Sequence, residues 1–295
     1  MIQSETKYTS VENAVERIPD GALLALGGNE AGRQPMALVR ELIRQQKRNL
    51  HLASYRYGVD LDMLVRAGCA AKIDTSSNGA DETGSSQAFT QPIIEVERMT
   101  LDQEAAFARF SAAASDLPYA LVKSSSQYGE NAGVTTIQDV FGKEPVTVVR
   151  RMDPDFVIIH AHAADIDGNV QMDVETHADF ARDIVLARAA KYVIVSVEQI
   201  VSPQTIATAP WKTVLPAQIV DCIVEAPYGA HPFACVGRYG ADQQGKNEYA
   251  KMVKSDDAHQ WFIANIYDVQ DHKAYLNSLG LKRLQGVTTK RSAYS

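Results

Sequence analysis

Two stretches in the second half of the chain decide the fold: residues 156–164 read FVIIHAHAA, and residues 192–200 read YVIVSVEQI. Both are nearly continuous runs of β-forming residues, so both faces of each predicted strand are largely apolar. Strands that are apolar on both faces are typical of a parallel sheet covered by helices. These two runs therefore predict neighbouring parallel strands in the interior of an α/β protein.

The segment between the two runs predicts the helix that connects them, over residues 176–190. Thr176 and Asp179 have the spacing of a capping box, which marks the start of a helix. Three apolar side chains recur at helical spacing and are expected to form the buried face: Phe180, Ile184 and Val185.

The same alternation of strand and helix continues on either side. The remaining predicted strands are 22–28, 50–54, 71–75, 119–125 and 219–225. One predicted helix has Pro35 as its first residue, a second begins at Asp60, and a third begins near Thr100, where Thr100 and Gln103 form a capping box. Residues 126–145 are predicted to be irregular. The sequence thus predicts an α/β fold with a mostly parallel open sheet, helices on both faces and a helical C-terminal tail. We expect one domain over 1–295, with 245–295 as its helical extension.

Charge and composition exclude several classes of function. The chain has 29 Lys and Arg against 36 Asp and Glu, and the net charge of −7 argues against nucleic-acid and anionic-membrane partners. No apolar run approaches the roughly 18 residues of a transmembrane helix. Residues 1–21 carry acidic side chains and no apolar stretch, so no signal peptide is expected. Three widely spaced cysteines fit a reducing cytoplasm.

Glycine-containing turns follow two predicted strands and are the first candidates for ligand contacts. Residues 27–32 read GGNEAG, and glycines at the start of a helix let backbone N–H groups approach an anion. The spacing is neither GxGxxG nor GxxxxGK[ST], which disfavours a nicotinamide-dependent dehydrogenase and a P-loop. Residues 228–232 read YGAHP and follow a strand at an edge where α/β sheets bind ligands. Each turn could equally be structural.

Two further groups of polar residues have both a functional and a structural interpretation. His160 and His162 lie two apart on one strand, so they share a face, and His177 or Asp165 could complete a metal site. Buried sheet histidines are the commoner explanation, and no metal is predicted. Glu104 lies in the first turn of its helix, where the helix dipole alone favours a carboxylate. Its functional alternative is a general base or a substrate-orienting group.

Four segments resemble one known family. They are VDCIVEAPYGAHPFACVGRYG (220–240), GGNEAGRQP (27–35), AAKYVIVSVEQIVS (189–202) and DVQDHKAYLNSLG (268–280). They resemble the A-type subunits of family I CoA-transferases, of the glutaconate CoA-transferase kind. The EAPYGAHP segment and the tail segment are the specific ones, since a glycine turn alone occurs in many folds.

The resemblance implies two related α/β subunits that share an active site. A glutamate on a B-type partner subunit would attack an acyl-CoA thioester, and the glutamyl-CoA thioester would pass CoA to a small carboxylic acid. Assemblies such as α2β2 are expected, with coenzyme A thioester as a substrate and no bound cofactor. This chain would supply one wall of the pocket: Gly27, Gly28, Asn29, Ser76, Ser77, Asn78, Tyr228, Gly229 and His231. The loop over 76–91 does not match the family closely, so the substrate acids are not carried over.

Other functions stay open beside the transferase. A similar α subunit occurs in the heteromeric hydrolase that opens a steroid ring in cholesterol catabolism, and there an acidic residue near the start of the helix matching 101–116 acts in C–C cleavage. Glu104 lies near that position in an alignment that needs a one-residue gap, whereas the 268–280 tail favours the transferase. A non-catalytic CoA-binding scaffold is a third possibility. Glu130, in YGENAG, lacks the serine that precedes the family's nucleophile, so the nucleophile is expected on the partner.

Overall fold

The computed structural model of the protein describes residues 6–29, 32–76, 96–123, 133–139, 141–142, 144–172, 180–255 and 258–288. In chain order its elements are β1 (Tyr8–Thr9), α1 (Val11–Glu16), β2 (Leu23–Leu26), α2 (Met36–Arg44), β3 (Leu50–Ala53), α3 (Val59–Arg66), β4 (Ala70–Ser76), β5 (Glu97–Leu101), α4 (Gln103–Ala114), β6 (Tyr119–Val122), β7 (Val134–Gln138), β8 (Pro145–Arg150), β9 (Phe156–Ala164), β10 (Val170–Gln171), α5 (Phe180–Ala189), β11 (Tyr192–Ile200), α6 (Pro203–Thr208), β12 (Thr213–Leu215), β13 (Cys222–Glu225), α7 (Gln243–Val253), α8 (Ala258–Phe262), α9 (His272–Leu279) and α10 (Leu281–Val287).

The main sheet is parallel along its whole principal path. The strand order is β1-β13-β11-β9-β2-β3-β4-β5, and only the short β10 and β12 add to it in antiparallel fashion. The two deciding stretches are neighbours, with Tyr192 beside Phe156 at one end and Ile200 beside Ala164 at the other. Both predicted strands therefore have the predicted bounds, and the mostly parallel sheet is confirmed.

Apolar side chains alternate between two core layers, one on each face of the sheet. Ile158 and Ile194 point into a layer shared with α1, α2 and α3, whereas Val157 and Val193 point into a layer shared with α4 and α5. This alternation follows from the period of two along a strand. It confirms helices on both faces.

The C-terminal helices pack on the first of these layers. Tyr249 of α7 and Phe262 of α8 are buried there beside α2 and α3. The helical tail is confirmed: it contains α7, α8 and α9, with α10 after Gly280, and α8 continues as a π-helical turn over Ile263–Tyr267. Among the helices of the described ranges, none is long and apolar enough to cross a membrane.

The middle of the chain differs from the sequence prediction. The strands β6, β8 and β7 form a separate antiparallel sheet, in that order, so the irregular segment predicted over 126–145 is wrong where it meets Val134–Gln138. That strand reads VTTIQ and is half exposed, so it lacks the apolar run that marks the interior strands. Strand β6 ends at Val122 rather than at residue 125.

Two predicted helix starts are also shifted by one or two residues. Thr100 still belongs to β5, and the N-cap of α4 is Asp102, whose side chain accepts a hydrogen bond from Ala105 N at 2.7 Å. The capping box at Thr100 and Gln103 is therefore wrong. Pro35 stands just before α2 rather than at its first position.

Candidate functional site

The carboxyl ends of the parallel strands meet at one edge of the sheet, where α/β proteins bind ligands. Gly27 and Gly28 directly follow β2, and Tyr228 and Gly229 follow β13. Ala37 N at the start of α2 donates to Gly229 O at 2.8 Å and so ties the two turns together. We call Gly27, Gly28, Tyr228 and Gly229 the glycine edge.

Within the first turn, the backbone of Gly28 is held on both sides. Its N–H donates to Asp183 Oδ1 at 2.8 Å, and its carbonyl accepts from the Tyr55 hydroxyl and from Arg56 Nε. Gly28 has φ +79°, and a Cβ there would overlap the carbonyl of Arg33. Asp183 therefore occupies the Gly28 N–H, and this donor is bonded within the chain.

Asp183 is a buried carboxylate on α5 that the sequence analysis missed. It is fully buried and forms an ion pair with Arg33, which is itself 4% exposed. Burial alone would lower the pKa of Arg33, but the charge of Asp183 offsets this and raises it. Phe180, Ile184 and Val185, the predicted buried face, are only half-buried, because α5 turns Asp183 and Leu186 inward. The sequence did carry a signal for Asp183: it is a charged residue that stands at helical spacing from apolar residues of the same helix.

The second turn is organised by Glu198 on β11. Its carboxylate accepts from Tyr228 N at 2.8 Å, Gly229 N at 3.1 Å, the Tyr239 hydroxyl at 2.9 Å and His160 Nε2 at 2.6 Å. Burial alone would raise the pKa of Glu198, but the hydrogen bond and charge of His160 and the Tyr228 N–H hold it below its ordinary value. Glu198 is the lone carboxylate in YVIVSVEQI, which was its sequence signal.

The histidines of β9 do not converge on a metal. His160, Glu198 and Cys235 have ligand atoms within 4.8 Å of one another, but Glu198 already accepts four hydrogen bonds and burial raises the pKa of the Cys235 thiol. His162 donates instead to Val236 O at 2.7 Å. Asp165 accepts backbone N–H bonds that close its own turn, and His177 lies outside the described residues. This donor set fits a hydrogen-bond network better than a cation.

His231 and Asn29 are held inside the protein rather than presented at the edge. His231 is 1% exposed; its Nε2 donates to Asp242 at 2.9 Å, and its Nδ1 accepts from the Tyr275 hydroxyl at 2.7 Å. Burial, together with the charge of Arg40, lowers the pKa of His231 to about 4. Asn29 is buried, and its Oδ1 accepts from the backbone N–H of Gly32 at 2.7 Å.

A second group of predicted residues lies at the β5 end of the same edge. Ser76 closes β4 and stands beside Leu101 of β5, two residues before α4 begins. The Ser76 hydroxyl is buried and has no hydrogen-bond partner among the described residues. Ser77 and Asn78, predicted with it, lie outside the described residues.

Glu104 lies in the first turn of α4 and is exposed. It lines an open hollow whose other walls come from the small antiparallel sheet: Leu121, Val122, Lys123, Pro145, Val146 and Thr147. We call this space the Glu104 hollow. It is separate from the glycine edge, because β3 and β4 stand between β2 and β5.

Comparison with known proteins identifies several relatives of this chain. The family model for Coenzyme A transferase matches residues 8–226. An uncharacterized protein of Archaeoglobus fulgidus is 35% identical over 95% of this chain, and the chain spans only 64% of that protein's length. The A-type subunit of glutaconate CoA-transferase from Acidaminococcus fermentans is 31% identical, over 95% of this chain and 93% of its own length.

Two further comparisons bear on the fold and on the reaction. The crystal structure of glutaconate coenzyme A-transferase from Acidaminococcus fermentans matches with a TM-score of 0.87 and 29% identity, covering 96% of each chain. The cholesterol ring-cleaving hydrolase IpdA subunit of Rhodococcus jostii is 29% identical, over 90% of this chain and 93% of its own length. The resemblance found in the four sequence segments thus extends to the whole fold.

Proposed function

The chain belongs to the coenzyme A transferase family, and from that premise we propose that it is the A-type subunit of a two-subunit CoA-transferase. It acts with a B-type subunit in a hetero-oligomer such as α2β2. The assembly moves CoA from an acyl-CoA to a small carboxylic acid, through a glutamyl-CoA thioester on the partner. Coenzyme A enters as the thioester substrate, and no further cofactor takes part.

The observation that carries this proposal is the extent of the match to one named transferase. The similarity covers 95% of this chain and 93% of the A-type relative, and the structural match covers 96% of each chain. It therefore includes the C-terminal helices, which lie beyond the family model's residues 8–226. This chain and the A-type relative thus share the C-terminal helices as well as the sheet, and this supports an A-type role and more than a common fold.

The state of the buried carboxylates supports a nucleophile on the partner. A nucleophilic carboxylate needs a free lone pair and a rigid position near the thioester carbon. Asp183 is paired with Arg33 and with the Gly28 N–H, and Glu198 accepts four hydrogen bonds. Neither can attack a thioester without first giving up the bonds that hold the glycine edge.

We assign this chain the role of a pocket wall. Gly27, Gly28, Tyr228 and Gly229 form its rigid part, and Ser76, with an unpartnered hydroxyl among the described residues, is its candidate hydrogen-bond donor to a substrate. A rigid wall excludes water, which a thioester intermediate requires because hydrolysis would end the transfer. His231 acts from behind the wall by holding the turn in place.

The test is to locate the covalent intermediate. The chain is co-purified with its B-type partner, incubated with an acyl-CoA and treated with borohydride, which reduces a glutamyl thioester to an alcohol. Peptide mass mapping should find the change on a partner glutamate and leave the peptide with Glu130 unmodified. A modified Glu130 would overturn the division of labour between the two chains. An unmodified pair of chains that still transfers CoA would overturn the covalent route.

A C–C bond hydrolase is the second candidate, and the exposed Glu104 in its hollow is the observation that favours it. A hydrolase would consume acyl-CoA without an acceptor acid and would leave no reducible adduct on either chain. Acceptor-dependent turnover separates the two reactions. Binding of acyl-CoA with turnover by neither route would identify a non-catalytic scaffold.

A further inference from the structure

The C-terminal helices close a cavity of about 50 Å³ over α2 and α3, behind the turn at residues 228–232. At roughly 10–15 Å³ for each water centre, it has room for a few waters or one small molecule. Most of its walls are apolar: Met36, Val59, Met63, Trp261, Ile266 and Leu279. We call it the Arg40 cavity after the buried arginine in its wall, whose Nε and Nη2 have no hydrogen-bond partner among the described residues.

Arg40 is 3% exposed and only partly satisfied. Its Nη1 donates to His231 O at 2.9 Å, and its guanidinium lies 3.8 Å over the ring of Tyr275. Its Nε and Nη2 have no hydrogen-bond partner in the described parts of the chain. These two nitrogens form one edge of the guanidinium, the edge that donates two parallel hydrogen bonds to a carboxylate.

The carboxylates nearest to the cavity are already paired with other groups. Glu248 Oε2 accepts from Arg283 Nη2 at 2.9 Å, and Asp242 Oδ2 accepts from His231 Nε2 at 2.9 Å and from Arg283 Nε at 2.6 Å. Burial, with the nearby charge of Arg44, lowers the pKa of Arg40. An arginine remains charged in a protein, and a buried charge without a counter-charge is strongly unfavourable. The cavity therefore favours a ligand that carries the negative charge which Arg40 lacks.

We propose that the Arg40 cavity binds a short aliphatic monocarboxylate of about two to four carbons. The carboxylate lies on the Nε–Nη2 edge of Arg40, and the alkyl group lies among the methionine, valine, isoleucine and leucine side chains. A single negative charge matches the one arginine of the cavity wall that has no counter-charge among the described residues, whereas a phosphate dianion would leave charge among apolar walls. This site is distinct from the sheet edge and does not depend on the transferase reaction.

The experiment uses Trp261 of the cavity wall as the reporter. The chain has two tryptophans, and Trp211→Phe at a 68% exposed position leaves Trp261 as the only one. Titration with sodium propionate at constant ionic strength should change its fluorescence saturably. Arg40→Met should weaken the apparent affinity at least tenfold, and Arg40→Lys should weaken it too because an ammonium lacks the fork. Arg48→Met, at an exposed position beyond the end of α2 and outside the cavity wall, is the matched control and should bind propionate as before.

Several results would overturn the proposal. The first is a Trp261 fluorescence change that is absent or does not saturate when the cavity is unmodified. The second is an equal propionate affinity in Arg40→Met. The third is an Arg40-dependent fluorescence response to inorganic phosphate as strong as that to propionate. If Arg40→Met does not fold, Met63→Phe narrows the cavity and keeps Arg40 in place. Unchanged propionate affinity in that variant would show that the ligand binds elsewhere.

Discussion

The glycine edge and Glu104 both lie at the edge of the main sheet where the parallel strands end, but their surroundings are opposite in kind. All four N–H groups of the glycine edge are bonded inside the chain: Gly27 to Ile158 O, Gly28 to Asp183, and Tyr228 and Gly229 to Glu198. Glu104 instead stands exposed in an open space.

The difference teaches how glycine turns are used here. Glycines that precede a helix often offer N–H groups to an anionic ligand, but in this chain two internal carboxylates take that place. The N–H groups of the glycine edge are therefore held within the chain, and under the proposed function its contribution to a substrate is shape. Two side chains lie at the β5 end: the exposed Glu104, and Ser76, whose buried hydroxyl has no hydrogen-bond partner in the part of the chain that the structure describes.

Among the tests of this comparison, substitution of Glu198 has the largest expected effect on stability. Glu198→Gln removes the charge that holds His160, Tyr228 and Gly229, and we expect the free energy of unfolding to fall by about 3 kcal/mol. Glu225→Gln is the matched control, because Glu225 ends the neighbouring β13, is exposed and accepts one backbone bond, from Ile200 N at 2.9 Å. It should cost less than about 1 kcal/mol. Urea unfolding of both variants measures the difference, and equal losses would mean that Glu198 does not organise the edge.

Gly28→Ala tests whether the glycine edge needs glycine for its own backbone. The positive φ and the overlap with the Arg33 carbonyl should together lower the free energy of unfolding by about 2–3 kcal/mol. Gly21→Ala has nearly the same φ, +80°, with open space around the added Cβ, and should cost about 1 kcal/mol. The excess in Gly28→Ala measures the overlap by urea unfolding. If the two variants lose the same free energy of unfolding, the close packing around Gly28 does not contribute to the cost of an added Cβ.

Sequence patterns predicted the interior strands well, because β9 and β11 are apolar on both faces and nothing else competes for such residues. They failed for β7, whose exposed VTTIQ pattern carries no burial signal. The start of α4 was misplaced because Thr100 and Asp102 are both good caps, and the extent of β5 decides between them.

The candidate site was harder to predict than the fold. The pattern located Gly27, Gly28, Tyr228 and Gly229 at the correct edge, since parallel strands bring their ends together. It could not reveal that Asp183 takes the Gly28 N–H and that Glu198 takes those of Tyr228 and Gly229, because both carboxylates are distant in sequence from the turns that they hold. Such pairings depend on tertiary packing, which no local spacing encodes.

Acid should destabilise the fold through a histidine that supports the glycine edge. His272 Nε2 donates to the carbonyl of Pro227 at 2.7 Å, next to Tyr228, and burial lowers the pKa of His272 to about 3. Because the unfolded chain has the ordinary histidine pKa near 6.5, the unfolded state binds the extra proton, and stability is lost as the pH falls below that value. Between pH 7.5 and 5.5 we expect this group to cost about 1.4 kcal/mol.

Urea unfolding at the two pH values checks this, because His272→Gln should remove that part of the pH dependence. The same change at the exposed His259 is the matched control. An unaltered pH profile in His272→Gln would mean that this imidazole is not the acid-sensitive support of the edge.

The smallest expected effect on stability belongs to Glu104, and it distinguishes the two candidate reactions. Glu104→Gln should change the free energy of unfolding by less than about 1 kcal/mol, because the helix dipole is its main interaction at an exposed position. Glu12→Gln, in the first turn of α1, is the control for that dipole effect and should leave turnover unchanged. In a transferase whose nucleophile lies on the partner, Glu104→Gln should lower turnover only several-fold, through a poorly oriented acyl group.

A loss of roughly 100-fold or more at intact stability would instead identify Glu104 as a general base. The hollow would then be the reacting part of the sheet edge, as the hydrolase alternative requires. Wild-type turnover in Glu104→Gln would remove the hollow from the site altogether. The glycine edge would then have to meet the substrate by itself, although its N–H groups are bonded to Asp183 and Glu198. Measuring turnover and unfolding on the same preparation separates a loss of turnover from a loss of folded protein, and the size of the loss then separates poor orientation from general-base catalysis.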